Sequence, residues 1–226
     1  MNDGVLAAIK WYFECKQYAR AKLLCFKPPA DVFELRFFHT LYFVNLLSAI
    51  EYVQEFLDKD FKTTLKARFV LPGNPDGKNN LRYISALRNA LVHRGEDITK
   101  RGSVVDGLIV VHAPEMMLDI ENKKEIMRNS FGYYILDIIA LCESQVGPTI
   151  LEFLNKHNLF DSINDDASER SNYLDRVATP DMPHFAKNLA KSAFKYKFHL
   201  EASHHLHLSL KEMLSDTQIS WPRTNV

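Results

Sequence analysis

A long helix with apolar side chains on two sides is predicted between Asp31 and about Asp58, and it limits the possible folds more than any other segment. The first stripe recurs at helical spacing and comprises Leu35, Phe38, Tyr42, Leu46, Ala49, Val53 and Phe56. The second stripe lies on nearly the opposite side and comprises Phe33, Phe37, Leu41, Val44 and Leu47. A helix that is apolar on two sides is buried on two sides. The second partner is therefore either another helix of the chain or a second copy of the protein.

Further helices are predicted on both sides of this segment. They cover residues 3–26, 79–95, 121–157 and 184–214, with a kink or break at Gly147-Pro148. Residues 60–79 form a turn-rich connector in this interpretation. Residues 161–183 are polar and acidic, as in a linker.

Short β-favouring runs lie at about residues 103–120, directly after the helix that ends near Gly95. They predict a small antiparallel hairpin or a three-stranded flap, which must pack on the helices to be stable. The predicted fold is therefore mostly α: an antiparallel helical bundle with this flap and an additional C-terminal helix. We expect a helical domain over residues 1–160, and an acidic linker with a C-terminal helix over residues 161–226 that packs on the same domain.

Composition limits the classes of function. The chain has 226 residues, 46% of them apolar, and 28 basic residues balance 28 acidic ones. This balance gives no support for strong nonspecific binding to nucleic acid, so a polyanion would need a local basic patch. The three cysteines, Cys15, Cys25 and Cys142, lack the spacing of a zinc site and suit free thiols. With no signal peptide and no apolar run long enough to span a membrane, the sequence predicts a soluble, cytoplasmic protein.

Other candidate sites are less specific. No GxGxxG, GxxxxGK[ST] or GxSxG string is present, which disfavours nucleotide-dependent and α/β-hydrolase chemistry. The C-terminal histidines offer either a metal site or a partly solvated helix face, and they are His199, His204, His205 and His207. They lack HExxH spacing, so we expect neither a metal nor a cofactor.

Two further features have a structural and a functional interpretation. Four lysines of the last helix are either a nucleic-acid surface or a solvated face, and they are Lys187, Lys191, Lys195 and Lys197. His39 lies within the first apolar stripe, where it is either a hydrogen-bonded core residue or a functional one.

The most specific chemistry lies in the predicted helix 79–95, where Arg88, Asn89 and His93 precede the helix-stopping Gly95. An arginine can hold a phosphate with its charged fork, and a histidine can transfer a proton near neutral pH. Together they suffice in kind for RNA cleavage without a metal. Asn89 and His93 project from one side of the helix, whereas Arg88 and His93 are about 140° apart. A symmetric dimer would bring two such helix ends into one cleft.

The string Arg88-Asn89-Ala90-Leu91-Val92-His93 resembles the Arg-polar-x-x-x-His motif of the HEPN superfamily. The resemblance covers about residues 30–160 in helix order and implies an antiparallel helical bundle with the motif at the end of a late helix. It also implies a metal-independent endoribonuclease, usually a homodimer with the paired motifs in a basic cleft. By this resemblance Arg88 and His93 would be catalytic, and Asn89 would support them.

The resemblance also implies partners. We expect an RNA substrate, a second copy of the chain, and an antitoxin or defence-system protein, because such enzymes are commonly toxins or effectors of phage defence. The candidate RNA-binding residues flank the motif, and they are Arg82, Arg94 and Lys78. The alternative is a noncatalytic HEPN-like helical module for dimerisation or for binding a ligand or partner. In that case Arg88 and His93 only satisfy carbonyl groups and the helix dipole.

Overall fold

The computed structural model describes residues 2–71, 74–161, 183–186, 196–219 and 221. This part of the chain is mostly helical, as predicted. Its helices are α1 (Asn2–Leu23), α2 (Val32–Phe56), α3 (Phe61–Arg68), α4 (Gly77–His93), α5 (Ile135–Lys156) and α6 (Tyr196–Ser215), with a short 3₁₀ helix at Ile98–Lys100. Two antiparallel hairpins separate α4 from α5: β1 (Gly102–Val105) with β2 (Leu108–Val111), and β3 (Met116–Glu121) with β4 (Lys124–Asn129). None of the described helices is long and apolar enough to cross a membrane.

The helix α2 lies at the centre of the fold and packs against α1, α3 and α4. Asp31 caps it as predicted, because its carboxylate accepts a hydrogen bond from the Phe33 N–H at 2.7 Å. The first predicted stripe is buried, except for Phe56 at the end of the helix. Burying a large apolar side chain of this kind contributes about 1.5–3 kcal/mol, so this stripe is a main source of stability.

The second stripe of α2 is only partly covered by the chain. Leu47 is buried and Leu41 and Val44 are half-buried, whereas Phe33 and Phe37 are 74% and 48% exposed. The rings of Phe33 and Phe37 stack on each other with centroids 6.4 Å apart. The first half of α2 therefore presents an apolar surface to solvent, which we call the Phe33–Phe37 face.

The prediction of a helix that begins at Glu121 is wrong. Asn122 and Lys123 have φ angles of 53° and 63°, and they form the two-residue turn that joins β3 to β4. The flap therefore consists of two hairpins over residues 102–129 instead of one hairpin or three strands over 103–120. The helix α5 begins later, at Ile135, where the Asp137 carboxylate accepts a hydrogen bond from the Tyr134 N–H at 3.0 Å.

Two further predictions of irregular structure are wrong in part, since the connector contains a helix and α5 continues past the predicted break. Residues 60–79 contain the helix α3, which buries Phe61 and Leu65 against the bundle. Residues 147–148 do not break α5, although Pro148 lies inside it. A side chain at position 147 would meet the Leu214 carbonyl oxygen at 2.5 Å, so glycine is required there for the close packing of α6 on α5. Of the predicted C-terminal segment, residues 162–182, 187–195, 220 and 222–226 lie outside the described residues.

A buried ionic cluster joins three of the helices. The Glu143 carboxylate of α5 accepts hydrogen bonds from Lys16 and Tyr42 at 2.6 Å each and from Arg20 at 2.8 Å. Burial lowers the pKa of Lys16, and the neighbouring Glu143 opposes that shift. Because every charge in the cluster has a partner, we assign it to stability rather than to catalysis.

Candidate functional site

The helix α4 carries the predicted motif, and its inward face explains why it folds. Leu81, Ile84, Leu87 and Leu91 are buried, as their spacing predicts. Asp76 caps the N-terminus by accepting a hydrogen bond from the Asn79 N–H at 2.9 Å. A side chain at Gly77 would lie 2.0 Å from the Lys66 carbonyl oxygen, so the start of α4 presses against α3. These contacts fix the direction in which the outer residues of α4 project.

The C-terminus of α4 is held by backbone contacts and by α2. The helix ends at His93, Arg94 is the C-cap, and Gly95 follows with a φ of 63° that favours glycine. The Glu96 N–H donates to the Ala90 carbonyl at 3.0 Å, and the Arg36 guanidinium of α2 donates to the Gly95 carbonyl. His93 is therefore in the last turn, as predicted, on an end that is tied to the start of α2.

Arg88 points towards α2. Its Nη2 donates to Oε1 of Glu51 at 2.9 Å, and its side chain is 21% exposed while that of Glu51 is 53% exposed. The Arg88 Nε is buried and makes no hydrogen bond with any described residue. The guanidinium is therefore only partly satisfied by the protein.

His93 and Asn89 lie one turn apart on the outer side of α4, His93 exposed and Asn89 half-buried. No hydrogen bond joins either side chain to Arg88 within the described part of the chain. On an ideal helix Arg88 and His93 differ by about 140° in direction. One chain therefore presents Arg88 and His93 on two sides of the same helix end.

The three predicted RNA-binding residues have different surroundings. Arg82 binds Glu121 at 2.9 Å, and Arg128 binds the same carboxylate at 2.6 Å. Lys78 is exposed, and Arg82, with Lys78 and Arg128, lowers the pKa of Glu121. Arg94 lies 3.4 Å from the Leu118 carbonyl oxygen and 3.6 Å from Glu96, beside β3. Lys78 and Arg82 therefore share one surface, and Arg94 lies next to the flap.

Two basic residues near Arg88 were not predicted as site residues. Lys62 and Lys66 lie on α3. Burial lowers the pKa of Lys62, and the positive charges of Arg82, Lys66 and Arg88 lower it further, whereas Glu51 opposes the shift. Three other cations therefore lie within electrostatic range of Lys62, and we call Lys62, Lys66, Arg82 and Arg88 the α3–α4 basic cluster. The four-residue spacing of Lys62 and Lys66 is its only sequence signal, and it has meaning only if residues 61–68 are a helix.

The alternative sites give no comparable chemistry. His39 is buried and its Nδ1 lies 2.7 Å from the Leu35 carbonyl oxygen, so it is a core residue. His204 and His205 are exposed, and the described residues contain no group that could hold a metal ion. The side chains of His199 and of the four lysines from Lys187 to Lys197 lie outside the described part.

A serine, a histidine and an aspartate meet where α1 packs on α6. Nε2 of His207 lies 3.3 Å from the Asp3 carboxylate and 3.5 Å from the Ser203 hydroxyl, which itself donates to Asp3 at 3.1 Å. In a catalytic triad the carboxylate and the nucleophile contact different ring nitrogens of the histidine. Because both contact Nε2 and Ser203 is buried, this group joins two helices and is not a nucleophilic site.

A cavity of about 300 Å³ lies beyond the end of α4. Its charged and polar lining residues are Glu96, Asp97, Lys100, Arg101, His112 and Glu115. Both acidic and basic side chains line it, so the cavity has no clear preference for an anion. The α3–α4 basic cluster and the end of α4 therefore form the better candidate for a phosphate-binding surface.

No family model, curated protein or solved structure matches the chain.

Proposed function

We propose that the chain is a metal-independent endoribonuclease of the HEPN type, with Arg88 and His93 as catalytic residues and Asn89 as a positioning residue. The observation that supports this proposal most is that the end of α4 is accessible to solvent. There a proton-transfer group, His93, is exposed in the same helical turns as an incompletely satisfied guanidinium, that of Arg88. The α3–α4 basic cluster beside them supplies local positive charge in a chain whose overall composition is neutral.

The proposed reaction needs only these two kinds of side chain. The His93 imidazole accepts the proton of a ribose 2′-hydroxyl, and the 2′-oxygen attacks the adjacent phosphorus. The bond from phosphorus to the 5′-oxygen breaks, and that oxygen takes up a proton. The products are a 2′,3′-cyclic phosphate and a free 5′-hydroxyl. Arg88 stabilises the negative charge that develops on the phosphate oxygens.

A homodimer would complete this site. One His93 serves as the general base, and the His93 of a second copy would protonate the leaving oxygen. The Phe33–Phe37 face supports such an arrangement because Arg36, next to Phe37 in α2, binds Gly95 at the end of α4. A dimer that buries this face brings two α4 ends near one another. Within the proposal the protein acts as a toxin or a phage-defence effector, with an antitoxin or defence-system protein as its partner.

The alternative proposal is a noncatalytic helical module that dimerises or binds a ligand or partner. The ion pair between Arg88 and Glu51 favours it, since that contact ties α4 to α2 as a structural arginine would. The two proposals differ in what the loss of Arg88 changes. For the module it changes stability by under about 1 kcal/mol, and for the nuclease it removes activity.

Incubation of purified protein with single-stranded RNA in EDTA tests the proposal. We expect cleavage with cyclic phosphate ends, and a loss of at least about 100-fold in Arg88→Ala and in His93→Ala. Matched controls are Arg68→Ala, another half-exposed arginine that pairs with a glutamate, and His205→Ala, another exposed histidine. Intact RNA with wild-type protein, or equal cleavage by all variants, would refute the nuclease.

A further inference from the structure

Arg88 is held by a contact that leaves most of its hydrogen-bonding capacity unused. A guanidinium has five N–H donors in a fork that matches two oxygens of a phosphate. Glu51 accepts from Nη2 through one oxygen, and Nε has no partner among the described residues. Glu51 is 53% exposed, and ion pairs of such side chains contribute little because water screens them. The contact is therefore weak enough to exchange.

The surroundings of this pair favour an incoming anion. Lys62 of α3 is half-buried and lies within electrostatic range of three other cations, Lys66, Arg82 and Arg88. Glu51 carries the opposite charge and counteracts the effect of these cations on Lys62. Like charges repel one another, and of these cations Arg82 already has a second partner, Glu121. A strand with several phosphates offers one negative charge to each cation, whereas Glu51 offers one in all.

We infer that Glu51 occupies the place of an RNA phosphate at Arg88 and is displaced when single-stranded RNA binds, while Lys62, Lys66 and Arg82 contact the neighbouring phosphates. The inference rests on the proposed function for its choice of RNA. Glu51 then regulates the site, because Arg88 is neutralised until a ligand offers two oxygens in place of one. Because Glu51 must first be displaced from Arg88, isolated anions that contact only part of the cluster bind more weakly.

Binding of an uncleavable RNA separates this inference from catalysis. The probe is a short, fluorescently labelled, single-stranded RNA with every 2′-hydroxyl methylated, and fluorescence anisotropy gives its affinity. Glu51→Gln should bind it about three- to fivefold more tightly than the wild type, since the competing charge is gone. The matched control is Glu55→Gln, which removes the same charge one turn further along α2 and should change affinity by less than about twofold. In an Arg88→Ala background, Glu51→Gln should have no larger effect than Glu55→Gln.

The salt dependence of binding tests the lysines. Each lost phosphate contact lowers the slope of log K against log salt by about 0.7 for a single strand. The double variant Lys62→Gln, Lys66→Gln should therefore lower the slope by about 1.4. The variant Lys211→Gln, in α6, which packs on α1 and α5, should leave it unchanged. Thermal unfolding of each variant verifies that it is folded.

The outcomes separate the two proposals. If Glu51→Gln binds no more tightly than the wild type, or no more tightly than Glu55→Gln, the inference is wrong even where RNA is cleaved. If the affinity and slope changes occur but no RNA is cleaved, the surface binds nucleic acid and only the proposed nuclease activity fails.

Discussion

The Lys16 ammonium lies 2.6 Å from a carboxylate oxygen of Glu143, and both side chains are buried between α1 and α5. The other oxygen of Glu143 binds Arg20 at 2.8 Å. One carboxylate therefore neutralises two cations that the fold has removed from water. Its loss leaves Lys16 buried without a counter-charge, whereas Arg20 keeps its ion pair with Asp216. Leaving one buried charge unpaired is the costly way to disrupt a buried pair.

We expect Glu143→Gln to lower the free energy of unfolding by about 3–5 kcal/mol, because Lys16 stays buried without a counter-charge. Urea unfolding followed by circular dichroism measures the change. The matched control is Glu152→Gln in the same helix, which removes the ion pair with the half-exposed Arg68 and should cost under about 1 kcal/mol. Equal losses in the two variants would show that burial adds nothing to the Glu143 contacts.

A second prediction concerns pH. Burial lowers the pKa of His39 to about 4, against about 6.5 in the unfolded chain. Between these values the unfolded state binds more protons, so stability rises with pH and is complete above about 6.5. As the pH falls towards 4, this residue alone removes up to about 3 kcal/mol.

The variant His39→Gln tests that contribution, since a glutamine is neutral at every pH. The urea concentrations at the unfolding midpoint are compared at about pH 7 and at about pH 4.5. Most of the effect of His39 on stability falls between these two values. The wild type should lose more stability than His39→Gln across this interval, whatever the two proteins show at the higher pH. Parallel losses would contradict a neutral, buried His39.

The helices that could be predicted are those whose ends and buried sides are set by capping residues and apolar spacing within the same segment. In α2, the spacing of Leu35, Phe38 and Tyr42 and the cap at Asp31 agree, so the start and the buried side were predicted. The strand β4 was missed because Ile126 and Met127 also fit a helical stripe, and the turn is Asn122-Lys123 rather than the more recognisable Asn-Gly. Local signals there support two structures, and the pairing with β3 decides between them.

The sequence predicted which kinds of side chain form the candidate site, but not the contacts that these side chains make. The positions of Arg88, Asn89 and His93 near a helix end follow from the capping signal at Gly95. The contact of Arg88 with Glu51 spans 37 positions of sequence and depends on how α2 crosses α4, which no local pattern contains. The role of Lys62 could not be predicted either, because Lys62 comes near Arg82 and Arg88 only when α3 packs on α4.

The packing of α6 on α5 gives a third prediction. A methyl group at position 147 would lie 2.5 Å from the Leu214 carbonyl oxygen, and backbone cannot move aside as a side chain does. Gly147→Ala should therefore lower stability by about 1–3 kcal/mol, despite the better helix propensity of alanine. The control is Gly4→Ala in α1, where nothing lies within 4 Å of the added methyl group. It should stabilise the protein by up to about 1 kcal/mol in the same thermal or urea titration. A stabilising Gly147→Ala would contradict the close approach of α6.

The Phe33–Phe37 face gives the last prediction, which tests the dimer in the proposed function. Phe33 and Phe37 contribute little to the core of one chain, because they are 74% and 48% exposed. The double variant Phe33→Ser, Phe37→Ser should therefore keep its helical circular dichroism spectrum while it loses the dimer and most of its RNA cleavage. Analytical ultracentrifugation gives the oligomeric state, and the control is Trp11→Ser, which removes another exposed aromatic side chain from α1. If the double variant and Trp11→Ser have the same mass and the same activity as the wild type, this face does not join two copies and each α4 end acts alone.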